Sequence, residues 1–228
     1  MIELWIPITI LAAFSQNLRS ALQKHLKSRL STAGATYVRF FYAIPFALLY
    51  LVILNQVFEL PLPQPNANFI GFGIIGGATQ IIATALLVYL FSFRNFAVGT
   101  AYSKTETAQT AVFGLIILGD PLTPGAIIGI MVSLVGVMAI STARQEGGLK
   151  NILQSLSQKT ALIGLASGAM FGISAISYRA ASLSLGGDGV LIQAAYTLGC
   201  VTIFQTLIMT LYLQVKEKGE VNNVLRNW

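Results

Sequence analysis

Six long stretches of this chain carry no Lys, Arg, Asp or Glu: residues 4–18, 40–58, 60–93, 121–143, 160–178 and 189–215. A seventh apolar segment, 96–118, is interrupted only by Lys104 and Glu106. An apolar helix of about 20 residues crosses the hydrocarbon core of a bilayer, because only a helix satisfies every backbone polar group within one segment there. A water-soluble domain of this size could not hide seven such segments. The expected fold class is therefore an all-α integral membrane protein, a polytopic helical bundle with seven helices visible.

Composition agrees. Hydrophobic residues make up 55% and charged residues 10%, against about 25% charged in soluble domains. The formal net charge of +6 comes from basic residues scattered among short loops, not from the continuous stripe that binds nucleic acid, so nucleic acid is not an expected partner. Cys200 is the only cysteine, which excludes an intrachain disulfide. Glu3 stands where a secretory signal peptide would carry basic residues, so the first apolar run reads as a spanning helix. His25 lies in a basic loop away from carboxylates and cysteine, and no metal site can be built on it. No phosphate-cradling glycine loop or nucleophile elbow is present. The chain reads as a non-enzyme without a cofactor.

Helices are expected at residues 4–22, 33–54, 69–93, 96–118, 123–142, 160–178 and 190–215, so that the loops alternate between two sides. One side collects Arg19, Lys24, Lys27, Arg29, Arg94, Arg144, Lys150, Lys159, Lys216, Lys218 and Arg226. The other holds Arg179 alone, with Glu3, Glu59, Asp120 and Asp188. Lys and Arg in short loops stay cytoplasmic, which puts the amino terminus outside and makes the chain a multi-pass protein of the cell (inner) membrane. In the longest cytoplasmic loop, Leu149, Ile152, Leu153 and Leu156 follow helical spacing. That loop is either an interfacial amphipathic helix or a plain connector.

Residues 165 onward echo residues 11 onward at a shift of 154 positions: Leu11/Leu165, Ala12/Ala166, Ser20/Ser174, Ala21/Ala175, Ser28/Ser182 and Tyr42/Tyr196. The first unit holds five helices, an odd number, so a second copy starts from the opposite side of the membrane. This is the inverted-topology repeat of secondary transporters. The expected organisation is a first five-helix repeat over residues 1–142, a cytoplasmic linker over 143–159 and a truncated second repeat over 160–228. The whole would be part of a ten-helix, five-plus-five bundle.

Rows of small residues at four-residue spacing mark close helix approach: Gly164, Gly168 and Gly172; Gly125, Gly129 and Ser133; Gly73 and Gly77. They read as static packing or as a rocking surface. Pro45 predicts a kink in the second helix.

A charge at the centre of a membrane helix costs about 2.5–3.5 kcal/mol on insertion scales and faces a cavity or a partner. Glu106 is therefore the leading candidate for the substrate pathway. Tyr102, Gln109 and Phe113 fall on its face of an unbroken helix, and Tyr102 and Gln109 join it as candidates; Lys104 points away from Glu106, nearer the cytoplasmic end, and is a further pathway candidate. Arg39, two turns into the second helix, reads as a ligand contact or as a cation snorkelling to the surface. Gln80, Gln193 and Asn17 complete the candidate set, with interhelical hydrogen bonding as their other reading. The pair Tyr178-Arg179 is expected to close the sixth helix as an interface anchor.

The run from Gly114 through Gly119-Asp120 and Leu122-Thr123 to Gly129 and Gly136-Val137 resembles the EamA domain, the repeat unit of the drug/metabolite transporter superfamily. There a small-residue helix ends in Gly-Glu, and a Leu-Thr or Leu-Ser turn precedes a glycine-containing helix. Two departures stand out. Many members carry a proline near the position of Glu106, and many have the opposite charge bias in the first unit. The resemblance implies gradient-driven export or exchange of small organic metabolites or drugs, without ATP, with protons or a counter-solute as coupling partners. Homodimer formation is left open. The competing reading is a structural or signalling polytopic protein. A retinal protein is excluded because residues 189–215 contain no lysine for a Schiff base.

Overall fold

The computed structural model describes residues 5–93, 96–143, 158–187 and 189–227. Glu3, Arg94, Asp188 and residues 144–157, which include the amphipathic-loop candidates, lie outside the described residues. All regular structure among the described residues is helical. In chain order the helices are α1 (Trp5–Leu26), α2 (Thr32–Phe41), α3 (Ile44–Gln56), α4 (Ala67–Leu90), α5 (Phe96–Ser103) and α6 (Glu106–Phe113). There follow a π-helical turn (Gly114–Leu118), α7 (Pro124–Ala143), α8 (Lys159–Ser184), α9 (Val190–Lys216) and α10 (Glu220–Arg226). Four helices among the described residues are long and apolar enough to cross a membrane: Thr32–Gln56 taken as one, Ala67–Leu90, Lys159–Ser184 and Val190–Lys216.

The second segment breaks at Tyr42 and Ala43, and Pro45 occupies the first turn of α3, where its missing N–H costs nothing. The fourth segment is also broken, between Ser103 and Glu106, without glycine or proline. Ser103 Oγ donates to the Thr100 carbonyl at 2.8 Å and Thr105 Oγ1 to the Tyr102 carbonyl at 2.7 Å. The backbone tightens to three-residue turns at Lys104 and Thr105. Hydroxyls that bond the preceding turn compete with the α-helical ladder, and the Ser103-Lys104-Thr105 cluster does so twice. The single unbroken helix expected over 96–118 is thus corrected to two helices and a π-turn.

Two other boundaries move. α1 continues to Leu26, so Lys24 and His25 sit in a helix and not in the loop. α8 continues to Ser184 and stops before Gly186 and Gly187, which take left-handed φ of 68° and 86°. Tyr178-Arg179 therefore lies well inside α8 and does not close it.

Contacts fix the relative directions. Gly99 meets Gly164, Ser103 meets Gly168, Phe113 meets Gly172 and Gly114 meets Ile176, so α5 and α6 run parallel to α8. Gly76 lies against Tyr178, and Ser167 Oγ donates to the Ala83 carbonyl at 2.9 Å, so α4 runs antiparallel to α8. Thr210 Oγ1 bonds the Tyr37 hydroxyl at 3.0 Å and Leu54 packs on Ile192, so α2–α3 runs antiparallel to α9. An alternately crossing chain gives these directions to its second, third, fourth, sixth and seventh segments. The core follows the same seams, with Ala83, Leu87, Leu90 and Phe171 between α4 and α8. Tyr37, Phe40, Val88, Met209, Leu213 and Val224 join α2, α4, α9 and α10.

The turn that carries the family-like motif has a physical basis. Gly119 adopts a left-handed φ of 69° and its N–H closes the π-turn on the Gly114 carbonyl. Thr123 Oγ1 accepts from the Ala126 N–H at 3.2 Å ahead of Pro124, which is an N-cap followed by a first-turn proline. Asp120 forms an ion pair with Arg179 of α8. The loop count had placed both residues on one side.

Candidate functional site

Two polar centres sit along α4, one turn apart. In the first, the Tyr178 hydroxyl of α8 donates to Gln80 Oε1 at 3.0 Å. Gln205 of α9, only 2% exposed, places its Nε2 2.8 Å from Gln80 Oε1, 3.0 Å from the Tyr178 hydroxyl and 3.1 Å from the Gly77 carbonyl. These bonds join α4, α8 and α9. A cavity of about 490 Å³ opens beside them, lined by Gln80, Tyr178, Gln193, Thr197, Thr202 and Gln205 among others.

In the second centre, one guanidinium arm of Arg39 donates to Thr84 Oγ1 at 2.8 Å, and Thr84 returns its hydroxyl to the Gln80 carbonyl at 2.8 Å. The guanidinium lies 5.4 Å from the Phe171 ring centroid and 5.7 Å from that of Phe40, a cation–π setting on both sides. Glu106 at the start of α6 is in electrostatic reach of Lys104, Arg39 and Arg19. Arg39 in turn feels Arg19, Tyr178 and Glu106. Tyr178 therefore connects the two centres.

Of the sequence candidates, Arg39 and Gln80 are joined through Thr84, Glu106 is in electrostatic reach of Arg39, and Lys104 of Glu106. Gln193 reaches only the wall of the cavity. Its Nε2 donates to the carbonyls of Gly186 at 2.7 Å and Gly187 at 2.9 Å, which closes the turn before α9. Gln109 faces α8, with its Nε2 2.8 Å from Thr105 Oγ1 and 3.5 Å from the Leu165 carbonyl. Tyr102 is 3% exposed and packs with Ala101, Val137 and Ala161. The helix break turns it away from the face that an unbroken helix would have shared with Glu106. Asn17 is exposed on α1.

Sequence reasoning missed Arg19, Thr84, Tyr178 and Gln205. Arg19 counts with the loop cations, although the expected first helix, 4–22, already includes it. Gln205 sits in an apolar run just as Gln193 does, and carried the same signal. Among the described residues no three His, Cys, Asp or Glu side chains gather in a metal-holding group.

Neither a curated protein nor a solved structure matches the chain. Residues 3–142, more than half of its length, match the EamA-like transporter family, and the chain belongs to that family.

Proposed function

We propose that this protein is a gradient-driven secondary transporter, an exporter or exchanger of small organic solutes that uses no ATP. One observation carries the reading: the interior carboxylate Glu106 stands in reach of Lys104, Arg39 and Arg19, drawn from the α5–α6 break, α2 and α1. Charges inside a membrane bundle are expensive and mark solute or ion paths, and a broken helix beside them is a frequent feature of transporter sites. In this reading Glu106 offsets part of the positive charge while the site is empty, and a proton or a counter-solute exchanges against it. Gln80, Tyr178 and Gln205 line the adjoining cavity and supply neutral hydrogen bonds. Residues 1–142 would form the first inverted repeat, 143–159 the linker and 160–228 part of the second.

Counterflow in proteoliposomes tests the proposal. Vesicles holding the protein and preloaded with a solute panel should accumulate the matching labelled solute transiently, whereas protein-free vesicles should not. Equal traces from the two preparations across the panel would sink the reading.

A further inference from the structure

The interior cluster is unbalanced in charge. Three cations, Lys104, Arg39 and Arg19, are in electrostatic reach of the carboxylate Glu106, and the two guanidinium groups also repel each other. None of the three cations makes an ion pair among the described residues, where the ion pair found is Arg179 with Asp120. Arg39 is instead steadied by neutral groups, the Thr84 hydroxyl and the rings of Phe40 and Phe171. The Nε of Arg19 is buried and has no hydrogen-bond partner among the described residues. Arginine stays protonated in proteins and presents a planar fork that fits carboxylate and phosphate oxygens. Surplus positive charge held in this way inside a bundle is stabilised by an incoming anion and repels a cation.

We infer that this cluster is an anion-binding site and that the carried solute is an organic anion bearing a carboxylate or phosphate group, with Arg39 and Arg19 as its principal contacts. The inference deepens the transport reading above and rests on it. Arg39 is braced by Thr84 and two aromatic rings, with one guanidinium arm bonded to the Thr84 hydroxyl. Lys104 adds a further positive charge in reach of Glu106. Glu106 competes with the anion for the same three cations, so its removal should help binding even where it harms coupling.

The test uses the purified chain in nanodiscs, titrated with succinate, glycerol phosphate, glycerol or choline while thermal unfolding is followed. Ligands that bind the folded state raise the midpoint with concentration. Succinate or glycerol phosphate should raise it, and glycerol and choline should not. Arg39→Gln and Arg19→Gln should each weaken the apparent anion affinity about tenfold or more. Glu106→Gln should bind the anion at least as tightly as wild type, and Arg226→Gln, on the exposed end of α10, should not differ from wild type. Arg39→Lys covers the case in which Arg39→Gln does not fold, because it should keep part of the affinity. A shift with choline alone, an undiminished anion shift in both arginine variants, or no shift with either anion would overturn the inference. Counterflow of the same four probes separates the two readings. Movement of choline or glycerol with the anions excluded removes the anion site and leaves transport standing. Anion binding that depends on Arg39, without counterflow, leaves the site standing and removes transport.

Discussion

The Ser31 hydroxyl donates to the Glu217 carboxylate at 2.5 Å, and the Ser31 backbone N–H donates to Glu220 at 2.6 Å. Ser31 is also the N-cap of α2, accepting from the Gly34 N–H at 2.9 Å. Two carboxylates from the end of α9 and the start of α10 therefore sit on the positive end of the α2 dipole. The Glu220 carboxylate occupies the space that a Cβ at Gly34 would need. Buried Val224 fastens α10 to the core below.

This latch makes a pH prediction. Partial burial pushes the Glu220 carboxyl up, but hydrogen bonds from Asn223 and Ser31 and the nearby Lys27 together hold it below the ordinary carboxylate range. A depressed folded value means that the stabilisation is present above the unfolded value and is lost as pH falls through the folded one. Thermal unfolding measured between about pH 7 and pH 3 should show Glu220→Gln less stable than wild type at neutrality, with the gap closing in acid. A gap independent of pH would contradict the electrostatic part. Ser31→Ala should cost about 1 kcal/mol or more, because it removes a cap as well as a carboxylate contact.

The glycine row of α8 makes a second prediction. A Cβ at Gly168 would lie 3.0 Å from the Ser103 carbonyl oxygen and 3.3 Å from the Glu106 nitrogen. Both are backbone atoms at the helix break and cannot swing aside. Gly168→Ala should destabilise by about 1–3 kcal/mol through overpacking and should displace Glu106. Among the described residues nothing lies within 4 Å of a Cβ at Gly129, so Gly129→Ala should be neutral or gain up to about 1 kcal/mol from helix propensity. Equal unfolding midpoints for the two variants would show that the α6–α8 approach is looser than described.

These two glycines also show how far the sequence could be read. Spacing alone ranked Gly125 and Gly129 equally with Gly164, Gly168 and Gly172, because a small residue signals that approach is allowed and not that a partner is there; Ser133 of the same row does meet the Thr107 hydroxyl at 3.3 Å. The apolar runs located α4, α8 and α9 well, since twenty or more uncharged residues leave little choice of structure in a bilayer. The break in α2–α3 was legible from Pro45, whereas the break after Ser103 was not. It arises from side-chain hydroxyls bonding the preceding turn, and serines and threonines do this in one context and not in another. The candidate site suffered from the same fault: treating 96–118 as one straight helix put Tyr102 beside Glu106, while the break sends it into an apolar cluster. Arg39, Lys104, Gln80 and Glu106 entered the candidate set because intramembrane polarity is costly wherever the helix turns.

Orientation gives a third prediction. With the loop cations cytoplasmic, a cysteine at Ser28 should resist an impermeant thiol reagent in intact cells, and one at Thr123 should react, both in a Cys200→Ser background. The reverse pattern would invert the topology.

The most direct test of the account compares counterflow by wild type and Glu106→Gln as a function of pH. Glu106 is in electrostatic reach of Lys104, Arg39 and Arg19, and Arg39 of Tyr178 of α8, so the variant removes the negative charge of the cluster and leaves its cations in place. Glu106→Gln should express and fold as wild type does, and its transport should fall at least about tenfold or lose its pH dependence. An unchanged rate and an unchanged pH profile in Glu106→Gln would contradict the claim that solute passes through this cluster.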